Sequence, residues 1–116
     1  MSCDLVYFDS LLEANLARQK DWFPDPTQQP DLCFRGVELA GEAGEACNVI
    51  KKLVRQVKGW KGSRDSFEHL AEELADVVIC VNLCAIAAGI DLDRAIEDKF
   101  NQTSATHAFK QRLKLP

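Results

Sequence analysis

The chain has 116 residues, of which 47% are hydrophobic and 28% charged, with a formal net charge of −4. That supplies enough apolar side chain for one domain with its own core. The acidic balance excludes a broad electrostatic footprint for a nucleic-acid polymer, so a polyanionic ligand would need a cation between it and the carboxylates.

The first helix is expected from about Asp4 to Trp22, where Leu5, Phe8, Leu12 and Leu16 recur at helical spacing. "FPDPTQQPD" ends it, because three prolines in seven residues cannot continue a helix. Asp31 then suits the cap of a second helix reaching about Val57, with Val37, Ala40, Val49, Ile50, Leu53 and Val57 as its apolar stripe. "KGWKGSRDS" is a loop by its glycines, and Asp65 or Ser66 can cap the third helix; Glu68, three residues after Asp65, would complete a capping box. The third helix is expected to stop at Ala88, where Gly89 supplies a left-handed residue. Asp91 caps a fourth, "LDRAIEDKFNQ", that fades near residue 104, and the tail "THAFKQRLKLP" has no assignment. With few β-branched residues and no strict alternation, the chain reads as all-α: a four-helix bundle forming a single domain over residues 1–116.

The most apolar run, "VVICVNLCAIAAGI" at 77–90, is shorter than the ~20 residues that span a bilayer and is interrupted by Asn82. It is expected to be a helix buried on most sides, with no membrane partner. So apolar a helix is hard to bury in a chain this small, which points to packing against a second subunit. The five cysteines (Cys3, Cys33, Cys47, Cys80 and Cys84) are odd in number, and the chain shows no signal peptide, so reduced thiols and a cytoplasmic location are expected. No CxxC spacing occurs and the only histidines are His69 and His107, which argues against zinc.

"GVELAGEAGEACNVIKKL" places Glu38, Glu42 and Glu45 on neighbouring turns of the second helix, with Gly41 and Gly44 among them. Glycine costs about 1 kcal/mol against alanine inside a helix, and clustered carboxylates repel, so the combination suggests a bound ligand. "HLAEELADVV" repeats the pattern with Glu73 and Asp76 three apart and Glu72 beside them. Opposed on antiparallel helices, Glu42, Glu45, Glu73 and Asp76 would either raise one another's pKa or recruit a cation. All-oxygen donors suit Mg²⁺, with Mn²⁺ as a substitute. A single acidic pair at this spacing is usually a solvated face. Here the second pair abuts the apolar run at Val77, and the glycines leave room for another helix or for phosphates.

"ELAGEAGEACNVIKKL" followed by "LAEELADVVICVNLCAIAAGIDLDRAIEDKFN" resembles the all-α nucleoside triphosphate pyrophosphohydrolases of the MazG-like superfamily, which includes dimeric dUTPases and dCTP pyrophosphatases. The resemblance covers about residues 35–104 and rests on GExGE, EELxDV, GIDL and a terminal KFN. It implies a dimer or a dimer of dimers, and Mg²⁺-dependent cleavage of a nucleoside triphosphate to monophosphate and pyrophosphate, in the house-cleaning of noncanonical or surplus dNTPs. It also implies metal-ligand roles for Glu42, Glu45, Glu73 and Asp76. Glu38, Glu45 and Glu72 are the candidates for activating water or orienting ligands. Lys99 and Asn101 are expected to contact phosphate or sugar. Thr103 stands where more distant relatives carry asparagine or arginine. Lys52 is a secondary phosphate candidate and Trp22 a stacking platform for the base, while His69 lies one turn before Glu73 on the same face. Two other readings share the helical plan. A di-iron bundle would want Glu-x-x-His pairs, which neither acidic motif has. A non-catalytic interaction module is the alternative to an enzyme, although all four ligand positions carry carboxylates.

Overall fold

A computed structural model describes residues 7–115. Four helices follow in chain order: α1 (Tyr7–Trp22), α2 (Leu32–Val57), α3 (Phe67–Ala88) and α4 (Leu92–Thr106). Among the described residues there is no strand, and the chain is all-α as its pattern predicts. The expected start near Asp4, the stripe residue Leu5 and Cys3 lie outside the described residues.

Helix limits follow from local chemistry. Asp31 caps α2 by accepting from Phe34 N, and Asp91 caps α4 by accepting from Arg94 N. At the end of α3, Gly89 has φ +68° and ψ +31°, a conformation that costs any residue with a Cβ. The cap of α3 is Ser66, whose side chain accepts from His69 N, so the box expected between Asp65 and Glu68 is not made. Asp65 turns instead to Ser66 N and the His69 ring. α4 continues to Thr106, and the tail folds back on it: Asn101 exchanges two hydrogen bonds with the backbone of Leu113, and Leu115 N donates to Glu97.

α2 and α3 form an antiparallel hairpin. Lys52 lies 4.0 Å from Asp65 at the loop end, while Cys84 Sγ donates to Arg35 O at 3.3 Å at the other. α1 packs on α3, and α4 packs on α1. α4 leaves α3 at 108°. The radius of gyration, 17.5 Å, exceeds the ~13 Å of a compact 100-residue domain, so the arrangement is open.

The core is correspondingly thin: Ala46, Val49 and Leu53 of α2 against Cys80 and Ala85 of α3. The stripe expected on α2 is therefore only partly right. Val49 and Leu53 are buried, but Val37, Ala40, Ile50 and Val57 are exposed, because α3 covers one side of α2 only. α3 is likewise not buried on most sides within the chain. α1 and α2 cover two flanks, and Leu74 and Val78 remain exposed. On α1, Leu12 and Leu16 stay at the surface while Asn15 is buried. No single described helix is long and apolar enough to cross a membrane.

Candidate metal centre

The buried face of α2 carries Arg35, Ala46, Val49 and Leu53, and Glu42 falls on the same stripe, four residues before Ala46 and seven after Arg35. On α3, Glu73 precedes buried Cys80 by seven residues and faces the same hairpin interface. Carboxylates thus occupy positions that packing alone would give to apolar side chains.

The result is convergence. One oxygen each from Glu42, Glu73 and Asp76 lies within 4.8 Å of the others, with Glu42 and Glu73 half-buried and Asp76 exposed. Burial pushes the Glu42 carboxyl above its usual range, and the neighbouring charges of Glu45, Asp76 and Glu73 raise it further. Glu42 Oε2 and Glu73 Oε2 are buried with no hydrogen-bond partner among the described residues. Carboxylate oxygens out of water and without a donor are costly, and a hard divalent cation would relieve both. The donor set fits Mg²⁺ or Mn²⁺: oxygens only, and no thiol or imidazole among the converging ligands.

A second layer steadies Glu73. His69 Nε2 lies 3.0 Å from Glu73 Oε1, and Nδ1 lies 2.8 Å from Asp65 Oδ1. Both acceptors are carboxylates, so the ring makes both bonds as donors only when protonated. Asp65 is the main reason that the His69 pKa is raised, with Glu73 adding to it. Asp65 is itself lowered, first by Ser66 N–H and then by the imidazole. This chain ties up one oxygen of Glu73 and leaves the other for a ligand.

The remaining candidates divide. Glu45, although outside the set of three, reaches Glu42 closely enough to raise it. Glu38 is one turn earlier and accepts from Arg35 Nη1 at 2.6 Å. Glu72, about 100° round α3 from Glu73, is exposed and outside the converging set. Lys52 is placed beside Asp65. Trp22 is 71% exposed and lines a cleft of ≈ 280 Å³ that Glu38 also lines. Lys99 and Thr103 are exposed on α4, which packs on α1, and Asn101 is committed to the tail. Cys80 is buried beside the site; burial raises its thiol first, and Glu38, Glu42 and Asp76 raise it further.

Residues that sequence reasoning passed over are Arg35, Gln19, Asn15 and the bond from Asp65 to His69. A usable signal was the spacing Asp65, His69, Glu73 at successive fours on one face. Arg35 and Glu42 seven apart on a core stripe is another.

Two antiparallel helices that each present acidic side chains to a shared interface make this an all-α chain built around a carboxylate cluster. The family model of the MazG nucleotide pyrophosphohydrolase domain matches residues 36–107, and the chain belongs to that family. No match to the chain was found among curated proteins or among solved structures.

Proposed function

We propose that the protein is a Mg²⁺-dependent pyrophosphohydrolase that cleaves a (d)NTP to (d)NMP and pyrophosphate, acting as a cytoplasmic homodimer or homotetramer in the removal of noncanonical or surplus dNTPs. The observation that carries this reading is the convergence of Glu42, Glu73 and Asp76, with two buried carboxylate oxygens left unpartnered among the described residues, in a chain of this family. Glu42, Glu73 and Asp76, joined by Glu45, would hold the ion. A bound Mg²⁺ supplies neutralisation of phosphate charge and a water of lowered pKa.

The chain's own groups do the rest. His69 fixes Glu73 through Oε1, so that Oε2 stays turned to the ligand position. Arg35 holds one oxygen of Glu38 between the cleft and the acidic cluster, where the second carboxylate oxygen can take the proton of an attacking water. Glu45 is the other base within reach of Glu42. Lys99 and Thr103, exposed on α4, are offered to the phosphates of a substrate on a second copy of the chain.

The test is a pyrophosphate-release screen of purified protein against canonical and modified dNTPs and NTPs, with Mg²⁺ and with EDTA. Metal-dependent release with a monophosphate as the second product is the expected result. Folded, Mg²⁺-binding protein that releases nothing from any nucleotide would refute the reading.

A further inference from the structure

The cleft of ≈ 280 Å³ lies where the end of α1 crosses the start of α2, and it is lined by Asn15, Gln19, Trp22, Phe34, Arg35 and Glu38 among others. Its floor is fixed. Asn15, 2% exposed, is bonded to Asn82 of α3 at 2.9 Å, which holds α1 in place beside the cleft.

Arg35 organises the wall. It is 4% exposed, its guanidinium carbon lies 5.8 Å and 5.7 Å from the ring centres of Phe23 and Phe34, and its Nη1 donates to Glu38. Nη2 donates to Gln19 Oε1 at 2.9 Å. An arginine has no acceptor, so this bond sets the Gln19 amide: its oxygen is spent, and what it has left for a ligand is the Nε2 donor. Arg35 Nε is buried with no partner among the described residues. Arg35 and Gln19 thus present donors on this wall, and Glu38, with one carboxylate oxygen taken by Arg35, is an acceptor beside them.

Position ties the cleft to the acidic cluster. At 1.5 Å per residue, Arg35 and Glu42 are about 10 Å apart along α2, and Asp76 and Leu83, which also lines the cleft, about 10 Å apart along α3. Glu38 stands between the two.

Resting on the reading of the protein as a nucleotide pyrophosphohydrolase, we propose that this cleft receives the base and selects uracil or thymine over cytosine, with Arg35-oriented Gln19 as the residue that sets the preference. A 4-oxo group accepts from the Gln19 amide, whereas the 4-amino group of cytosine brings donor against donor and leaves both unpaired. Trp22 and Phe34 supply apolar surface for the ring's faces.

The experiment reads binding apart from turnover. In a Trp60→Phe background, Trp22 is the one tryptophan left, and its fluorescence is followed while dUMP, dTMP and dCMP are titrated in EDTA. dUMP and dTMP are expected to quench it and to bind about tenfold more tightly than dCMP, the size of one hydrogen bond gained or lost. Gln19→Glu keeps the acceptor for Arg35 and removes the amide donor, so the preference should vanish or reverse with the melting temperature little changed. Arg35→Leu is less informative because it empties a buried position. Equal affinities, no binding, binding without a Trp22 response, or an unchanged ratio in Gln19→Glu would each overturn the inference. Selective binding without Mg²⁺-dependent release from dUTP would leave the base site standing and refute the reaction. Turnover with no selectivity would do the reverse.

Discussion

Asn82→Leu tests what seats α1 on the α2–α3 hairpin. Asn15 and Asn82 are each 2% exposed and share one hydrogen bond of 2.9 Å in an otherwise thin core. Removing Asn82 leaves the Asn15 amide buried without a partner, at a cost of about 1–3 kcal/mol. For a domain of this size about 4 °C of melting temperature accompanies each kcal/mol, so a fall of about 4–12 °C is expected. Asn15→Leu should behave alike. The double variant removes both polar groups together and should recover much of the loss, giving a coupling of about 1–2 kcal/mol. Thermal melts by circular dichroism at one fixed protein concentration provide all four corners of the cycle. If the double variant's loss equals the sum of the singles, or if neither single lowers the melt, the asparagine pair does not hold α1 and the reasoning fails.

Glu45→Gln and Asp76→Asn are each expected to abolish Mg²⁺-dependent pyrophosphate release while leaving the helical spectrum intact; wild-type activity in both would reject this assignment of ligands. Glu42→Gln should raise the melting temperature of metal-free protein at neutral pH. The folded-state pKa of Glu42 is raised, so its charge destabilises the fold above that pKa and ceases to do so as pH falls below the ordinary value of 4.5. The gain should fade over that range, and a lower melt at neutral pH would contradict the argument. His69→Gln should weaken Mn²⁺ binding about tenfold, as loss of a group that orients a ligand does, and an unchanged titration would remove His69 from the centre. Its raised pKa adds a sign: the stability that His69 confers on metal-free protein is full below 6.5 and lost as pH rises through the folded-state value. Melts of wild type and His69→Gln should therefore converge at alkaline pH.

What could be read from sequence was what is decided within a few residues. Asp31, Gly89 and Asp91 stop or start helices by their own hydrogen bonds and dihedral angles, so their positions were legible. Of the two caps expected for α3, Asp65 or Ser66, it is Ser66 that serves, and the box between Asp65 and Glu68 is not made. Asp65 is thereby left to His69 one turn on, a local pair whose spacing stood in the sequence but was passed over. Periodicity on α2 named the apolar residues but not which of them α3 would cover. It also passed over Arg35, since a cation on a core stripe reads as an interruption until Glu38 and Gln19 are seen around it. Asn82 looked like a break in an apolar run, and its purpose appeared only when Asn15 came to face it. Among the described residues nothing lies within 4 Å of where a Cβ would stand on Gly41 or Gly44, so those residues do not fill the room the glycines leave.

The three converging carboxylates belong to one hairpin, while Gln19 and Trp22 sit on a separate helix docked against it. Residues joined by a short loop meet at little entropic cost, so the acidic cluster can assemble with the hairpin before α1 settles. On the reading proposed above, the ligands of the ion lie on the hairpin while Gln19, the residue proposed to set the choice of base, lies on a helix added to it. Substitution on α1 would then alter selectivity while leaving the acidic cluster in place.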